Sequence, residues 1–231
     1  MTPLSLQRNE SGPTLMDNDE NTNADQDALW NGPGGDVWVR SQPLLDDTFR
    51  PFERRLVGLT TERRPKRLLD VGCGTGSTTI AMARGLASEG ACTGIDISKP
   101  MLETAKARAT EAGLQIQFIN ADAQTHAFDR NTFDMIASRF GVMFFADPTQ
   151  AFTNLKWAAT DDCALHLFVW RRFEENPFMT VAETAAAHFF PDLPPRENNK
   201  VGQFGFADDS RVRSILERSG WSNINISEAD E

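Results

Sequence analysis

Nine residues, Leu68 to Gly76 (L-L-D-V-G-C-G-T-G), constrain this chain more than any other stretch. Two leucines end an apolar run just before an acid, Asp70. Gly72, Gly74 and Gly76 then alternate with small residues ahead of the helix-forming S-T-T-I-A-M-A-R-G-L-A. A buried strand, a tight glycine turn and a helix N-terminus bring backbone N–H groups close to a nucleotide-like ligand. Spacing narrows the choice of ligand. The dinucleotide fingerprint wants its third glycine three residues after the second, whereas here it comes after two and Ser77 holds the later place.

A chain of 231 residues can bury one large α/β core and is short for two, so a single domain is expected. With 33 acids against 23 bases the net charge is -10, which disfavours a nucleic-acid backbone or an anionic membrane as partner and suits a small, weakly charged substrate. Three cysteines, Cys73, Cys92 and Cys163, sit in apolar or glycine-rich surroundings, as reduced core thiols of a cytoplasmic protein do. No run approaches about 18 apolar residues, and no basic segment followed by an apolar one opens the chain. Neither a membrane span nor a signal peptide is expected.

Residues 1–28 carry six acids against one arginine and few apolar side chains, the composition of a flexible acidic arm. Residues 29–231 form the domain. Trp30 to Val39 (W-N-G-P-G-G-D-V-W-V) mixes two tryptophans with turn residues and reads as aromatic anchors on a loop, either plugging the domain edge or forming a flap over the ligand. Apolar steps of one, three and four predict a helix from Gln42 to about Leu59, followed by a charged turn, Thr60 to Lys66. Strands are expected at the glycine loop's entrance and at Ala91–Ile97, Leu114–Ile119, Phe133–Ala137 and Cys163–Trp170. Helices are expected over Ser77–Ala87, Ser98–Gly113 and from about Pro148. This alternation predicts an α/β, Rossmann-like doubly wound sheet, mostly parallel.

Asp96 lies 20 residues beyond Gly76, at the carboxyl end of the neighbouring strand, where an acid accepts hydrogen bonds from a ribose diol. The alternative is a cap for the next helix, but Ser98, followed by Lys99 and Pro100, suits that role better. Asp122, in N-A-D-A-Q, ends the next strand and faces the same crevice if the strands are parallel.

The set L-D-V-G-C-G-T-G, G-I-D-I-S, N-A-D-A-Q and F-D-M-I-A-S-R-F-G-V-M-F-F resembles the class I S-adenosylmethionine-dependent methyltransferases. It is most similar to the small-molecule subgroup around the ubiquinone and menaquinone methyltransferases, in which a W-N-G-P-x-G segment also precedes the core. The resemblance runs from about Trp30 onward and implies S-adenosylmethionine as cofactor. It implies that Gly72, Cys73, Gly74 and Gly76 pass under the methionine half, with Asp70 helping to hold its amino group. Asp96 would bind both ribose hydroxyls, Ile97 would flank the adenine, and Asp122 with Ala123 would meet the adenine edge. Ser138 and Arg139 would line the path from cofactor to acceptor. Asp134, like Arg139, has an alternative reading as a surface or fold-stabilising charge.

A sulfonium methyl is already activated, so the chemistry asks for in-line placement and exclusion of water rather than a dedicated base. Of the three histidines, His126 lies in a loop and His166 reads as a hydrogen-bonded core residue. His188, beside Phe189 and Phe190, is the one candidate for catalysis. Residues 171–207 depart from the alternation. There a mostly apolar helix over Pro177–Phe190 is followed by an irregular loop; the resemblance implies that this insertion covers the acceptor pocket, where its Phe, Met and Pro favour a flat, apolar or aromatic acceptor, and the alternative is a helix packed on the sheet edge with no ligand contact. A last helix, Asp209–Gly220, and a sixth strand, Trp221–Ile226, complete the reading, and the family's final strand is not seen in the sequence. The partner expected is a small-molecule acceptor, with no metal, and the oligomeric state is open, a homo-oligomer included. Two other functions compete: a cofactor-binding protein without turnover, and a nicotinamide-dependent oxidoreductase.

Overall fold

The computed structural model describes residues 23–87, 89–181, 185 and 201–230. Five parallel strands form one sheet in the order β3-β2-β1-β4-β5: β1 (Arg67–Val71), β2 (Ala91–Asp96), β3 (Gln117–Asn120), β4 (Phe133–Arg139) and β5 (Ala159–Phe168). The chain moves outward from β1 to β3 and then returns to the other side of β1 with β4. That reversal leaves a crevice beyond the carboxyl ends of β1 and β4, where open α/β sheets bind ligands.

The strands expected from apolar runs are present with shifted ends. Leu68, Leu69, Ile95, Met135 and Ile136 are fully buried because β1, β2 and β4 lie inside the sheet. On one face Leu56, Leu68, Met82, Cys92, Met135 and Ala137 form a compact cluster under α4 (Arg50–Arg63) and α5 (Ser77–Arg84). On the other, Phe152 and Leu155 of α7 (Pro148–Ala158) meet Val212, Ile215 and Leu216 of α8 (Asp209–Arg218). Helix starts follow their caps. Ser98 accepts from Met101 N at 3.4 Å at the head of α6 (Lys99–Glu111), and Asp147 and Asp208 each accept from a backbone N–H at 2.9 Å to start α7 and α8. Asp134 is a fold-stabilising charge: its carboxylate accepts from Lys66 N at 2.8 Å and Arg67 N at 2.9 Å, tying the entrance of β1 to β4.

Several expectations change. Asn23–Trp30 is a helix, α1, so the arm expected to reach residue 28 has helix in its last part; residues 1–22 lie outside the described residues. The turn-like W-N-G-P-G-G-D-V-W-V holds a second helix, α2 (Pro33–Arg40), with proline in its first turn. The helix expected from Gln42 is two, α3 (Gln42–Thr48) and α4, which meet at buried Phe49, and α4 runs on to Arg63 through most of the expected turn. β5 begins at Ala159, earlier than expected, and ends at Phe168. Residues 177–181 are helical; the rest of the helix expected to Phe190, apart from residue 185, lies outside the described residues, as do residues 186–200 of the region 171–207. Trp221–Ile226 forms no strand. Trp221 is held instead by its indole N–H, which donates to Phe152 O at 3.0 Å, and Ile224 and Ile226 pack on the core.

Candidate functional site

The glycine loop shapes the floor of the crevice. The N–H groups of Gly72 and Cys73 both donate to Ile95 O, at 2.9 and 3.2 Å, which turns the chain sharply as it leaves β1. Gly72 has φ 67°, and a Cβ there would lie 2.7 Å from the Cα of Gly141, so two backbone segments touch with no room for a side chain. Gly74 N donates to one Asp96 oxygen at 2.7 Å while Ser98 N donates to the other at 2.8 Å. Each oxygen keeps capacity for a further bond.

Acids stand at the ends of three adjacent strands. Asp70 is fully buried in β1 and accepts from Thr79 Oγ1 at 2.6 Å; burial pushes its carboxyl up to about 7, against the opposing pull of that hydrogen bond and of Arg139. Burial also raises Asp96, with the bonds from Ser98 and Gly74 opposing. Asp122, half-buried just past β3, accepts from Gln124 N at 2.8 Å and stays at the crevice wall. Asn120 reaches across to donate to Asp96 O at 3.1 Å and Ile97 O at 2.9 Å, linking β3 to the β2 exit. Cys73 also faces the crevice, and burial holds its thiol well above the ordinary range, so it is inert there.

The two early helices close the opposite side. Trp30 and Trp38 line the crevice with Gln26, their rings edge to face at 6.0 Å, and Phe144 meets Trp30 at 5.0 Å. Hydrogen bonds anchor this corner beside Asp96: Ser98 Oγ donates to Trp30 O at 2.6 Å, Asn31 Nδ2 donates to Ile97 O at 3.1 Å, and Lys99 N donates to Asn31 Oδ1 at 2.8 Å. Both tryptophans therefore stand at the crevice rather than at a remote edge of the domain.

At the end of β4, Ser138 and Arg139 take different paths. Ser138 is fully buried and donates to Val71 O at 2.7 Å while accepting from Gly141 N at 3.3 Å, so its hydroxyl clamps the strand ends behind the wall. Arg139 lines the crevice; its guanidinium donates to Phe49 O at 3.4 Å and lies 5.7 Å from the centre of the Phe49 ring.

The fold therefore brings Asp70, Gly72, Cys73, Gly74, Asp96, Ile97, Asp122, Ala123 and Arg139 to one crevice. Gly76 and Ser138 are not in its wall; Gly76 caps α5 against Ala105. His188 lies outside the described residues. His126 meets Phe128 edge to face at 4.7 Å and is not in the crevice wall, and His166 is a half-buried residue of β5, an edge strand among those described, with no hydrogen bond to its ring from the described residues. Sequence reasoning passed over Thr75, Thr78, Met101, Phe140, Gly141 and Phe145, which also line the crevice. F-G-V-M-F-F after β4 was the available signal for three of them. Among the described residues no cluster of metal-ligating side chains is present, and no helix is long and apolar enough to cross a membrane.

Residues 68–160 match a family model described as a methyltransferase domain. Aklanonic acid methyltransferase of Streptomyces sp. (strain C5) is 38% identical over 104 residues, 45% of this chain and 47% of that protein, so the chain spans about half the length of that relative. Demethylmenaquinone methyltransferase of Staphylococcus aureus (strain JH9) is 38% identical over 188 residues, 78% of each chain. Among solved structures, a SAM-dependent methyltransferase from Aquifex aeolicus matches with a TM-score of 0.51 at 18% identity, covering 67% of this chain and 71% of that one, a likeness of fold.

Proposed function

The chain belongs to the S-adenosylmethionine-dependent methyltransferases, and on that premise we propose that it transfers the methyl group of S-adenosylmethionine to a small, apolar or aromatic acceptor. The observation that carries this reading is the row of acids at the ends of β1, β2 and β3. Neighbouring strands lie about 4.8 Å apart. Asp70, Asp96 and Asp122 therefore step across the crevice at roughly the spacing of an amino acid tail, a ribose and an adenine. The donor set fits: a buried carboxylate for an ammonium, a carboxylate braced by two N–H groups for a diol, and an acid at the adenine edge. Bound there, the sulfonium supplies a methyl group ready for displacement.

In this reading Asp70 holds the amino group, and Asp96 the ribose, with Ile97 beside the adenine and Asp122 and Ala123 at its edge. Gly72 and Gly74 keep the floor free of side chains. Trp30, Trp38 and Phe144 shed water from the reacting end and offer flat apolar walls to an acceptor. The names of two relatives, which refer to aklanonic acid and demethylmenaquinone, accord with a small-molecule acceptor. The net charge of -10 supports a partner other than nucleic acid, and the free thiols Cys73, Cys92 and Cys163 suit the cytoplasm.

Calorimetric titration with S-adenosylhomocysteine, run beside NADH, tests the reading. S-adenosylhomocysteine should bind and NADH should not. Asp96→Ala should weaken binding by about 1.5 to 3 kcal/mol, roughly 10- to 150-fold, because charge-assisted bonds to the ribose are lost. Binding of NADH in its place, or an unchanged affinity in the variant, would overturn the cofactor assignment.

A further inference from the structure

Arg139 is a charged group that the fold half-buries and leaves without a close counter-ion among the described residues. Its single side-chain hydrogen bond among the described residues, to Phe49 O, is 3.4 Å long, at the weak end of the range. Among the described residues no carboxylate lies within ion-pair distance of it. None of its remaining N–H groups is sealed off without a partner, so they open toward the crevice that the residue lines. Half-burying a guanidinium beside aromatic rings with no carboxylate in contact is unfavourable, and burial does lower its proton affinity here, against the more distant pull of Asp70, Glu53 and Asp46.

Its mounting is stiff. Phe140, the next residue, has φ 63°, a conformation a bulky side chain rarely adopts. It is held there by a stack on Trp170 at 4.1 Å and 7° and by edge contacts with Phe49 and Phe52. Gly141 then lies against Gly72. The arginine is thus fixed between the glycine loop, with Asp70 near enough to feel its charge, and the aromatic side of the crevice.

We propose that Arg139 is the anion anchor of this crevice, placed to take an oxyanion of the bound ligands in its guanidinium fork. The inference rests on the proposed methyl-transfer reading. Two sources of that oxyanion are consistent with its position: the carboxylate of the cofactor's amino acid tail, opposite the ammonium held by Asp70, or an ionised oxygen of the acceptor. An acceptor bound as an oxyanion needs no base. Its oxygen lone pair forms the bond to the methyl carbon as the carbon–sulfur bond breaks, sulfur keeps that electron pair, and no proton moves. A guanidinium beside the oxygen would favour that ionised form.

The test titrates wild type, Arg139→Gln and Arg139→Lys with S-adenosylhomocysteine and with 5′-methylthioadenosine, which lacks the amino acid tail. The S-adenosylhomocysteine-saturated proteins are then titrated with 1-hydroxy-2-naphthoate and, as a neutral control, 1-naphthol. If the anion is the cofactor's, Arg139→Gln weakens S-adenosylhomocysteine about 30-fold or more, leaves methylthioadenosine unchanged, and Arg139→Lys falls between. If it is the acceptor's, both nucleosides bind as before, and the preference for the naphthoate over 1-naphthol disappears in Arg139→Gln. Equal losses for both nucleosides would make Arg139 structural, and no change with any ligand would leave it without a ligand role; either overturns the proposal. A wild-type chain that ignores S-adenosylhomocysteine sinks the cofactor reading itself, a result distinct from a wild type that binds it and a variant that binds it equally.

Discussion

The two sides of the crevice are built by different means. On the side of β1, β2 and β3, polar groups at strand ends and the N–H groups of a tight loop are joined by backbone-directed bonds between two adjacent parallel strands: Gly72 and Cys73 bond to Ile95, and Gly74 and Ser98 to Asp96. On the other side, Trp30, Trp38 and Phe140 line the wall with Phe49 and Trp170 packed behind them; these rings come from distant stretches and meet one another in a chain. Backbone hydrogen bonds are directional and tolerate little displacement, whereas aromatic contacts accept a range of angles. The first side suits a fixed cofactor. The second can be reshaped for different acceptors at less cost to the fold.

Three changes put that contrast at risk. Gly141→Val should have the largest effect, because a Cβ there would lie 2.7 Å from Val71 O and 2.8 Å from Gly72 Cα, with backbone on both counts. We expect a loss of about 4 kcal/mol or more, a fall of about 8 °C or more in Tm by calorimetry. A variant as stable as the parent would show that the loop is not rigid.

A smaller effect is expected from Asp70. Its carboxyl is held up to about 7 against an ordinary 3.8, so the folded protein keeps a proton that the unfolded chain releases. The stability this provides is whole below about pH 4 and is lost as the pH rises to about 7, at about 1.4 kcal/mol per pKa unit, a few kcal/mol in all. Urea denaturation across that window should show the fall in the parent and a flatter profile in Asp70→Asn. Parallel profiles would mean that Asp70 is not the group responsible.

Least is expected from Trp38→Ala. The half-buried ring leaves Trp30 and Phe49 in place, so stability should drop by about 1 to 2 kcal/mol, below the usual cost of emptying a core aromatic site. S-adenosylhomocysteine affinity should change less than about threefold. A loss as large as that of Gly141→Val would break the distinction between the two sides.

The same contrast explains what could be read in advance. L-L-D-V-G-C-G-T-G and the acids Asp96 and Asp122 were legible because each is a local pattern whose geometry follows from its own strand and turn. The helix α2 was not, since W-N-G-P-G-G-D-V-W-V has the composition of a loop. Its glycines serve a different end: a Cβ on Gly35 would lie 2.1 Å from Trp30 O, so their lack of side chains lets α1 and α2 fold against each other. Alternation in W-S-N-I-N-I resembled a strand, but among the described residues no partner edge pairs with it, and a strand needs one. Ser138 and Arg139, adjacent in sequence, could not be told apart until the sheet placed one hydroxyl on Val71 O and one guanidinium at the crevice.

By itself the sequence determined the parallel α/β sheet, the place of the glycine loop and the acids along one rim, because strand period, turn chemistry and helix caps act over a few residues. Tertiary structure alone decided the aromatic wall, the contact between Gly72 and Gly141 and the partly answered charge of Arg139. Those depend on which distant segments share a space, and packing, not local propensity, settles that.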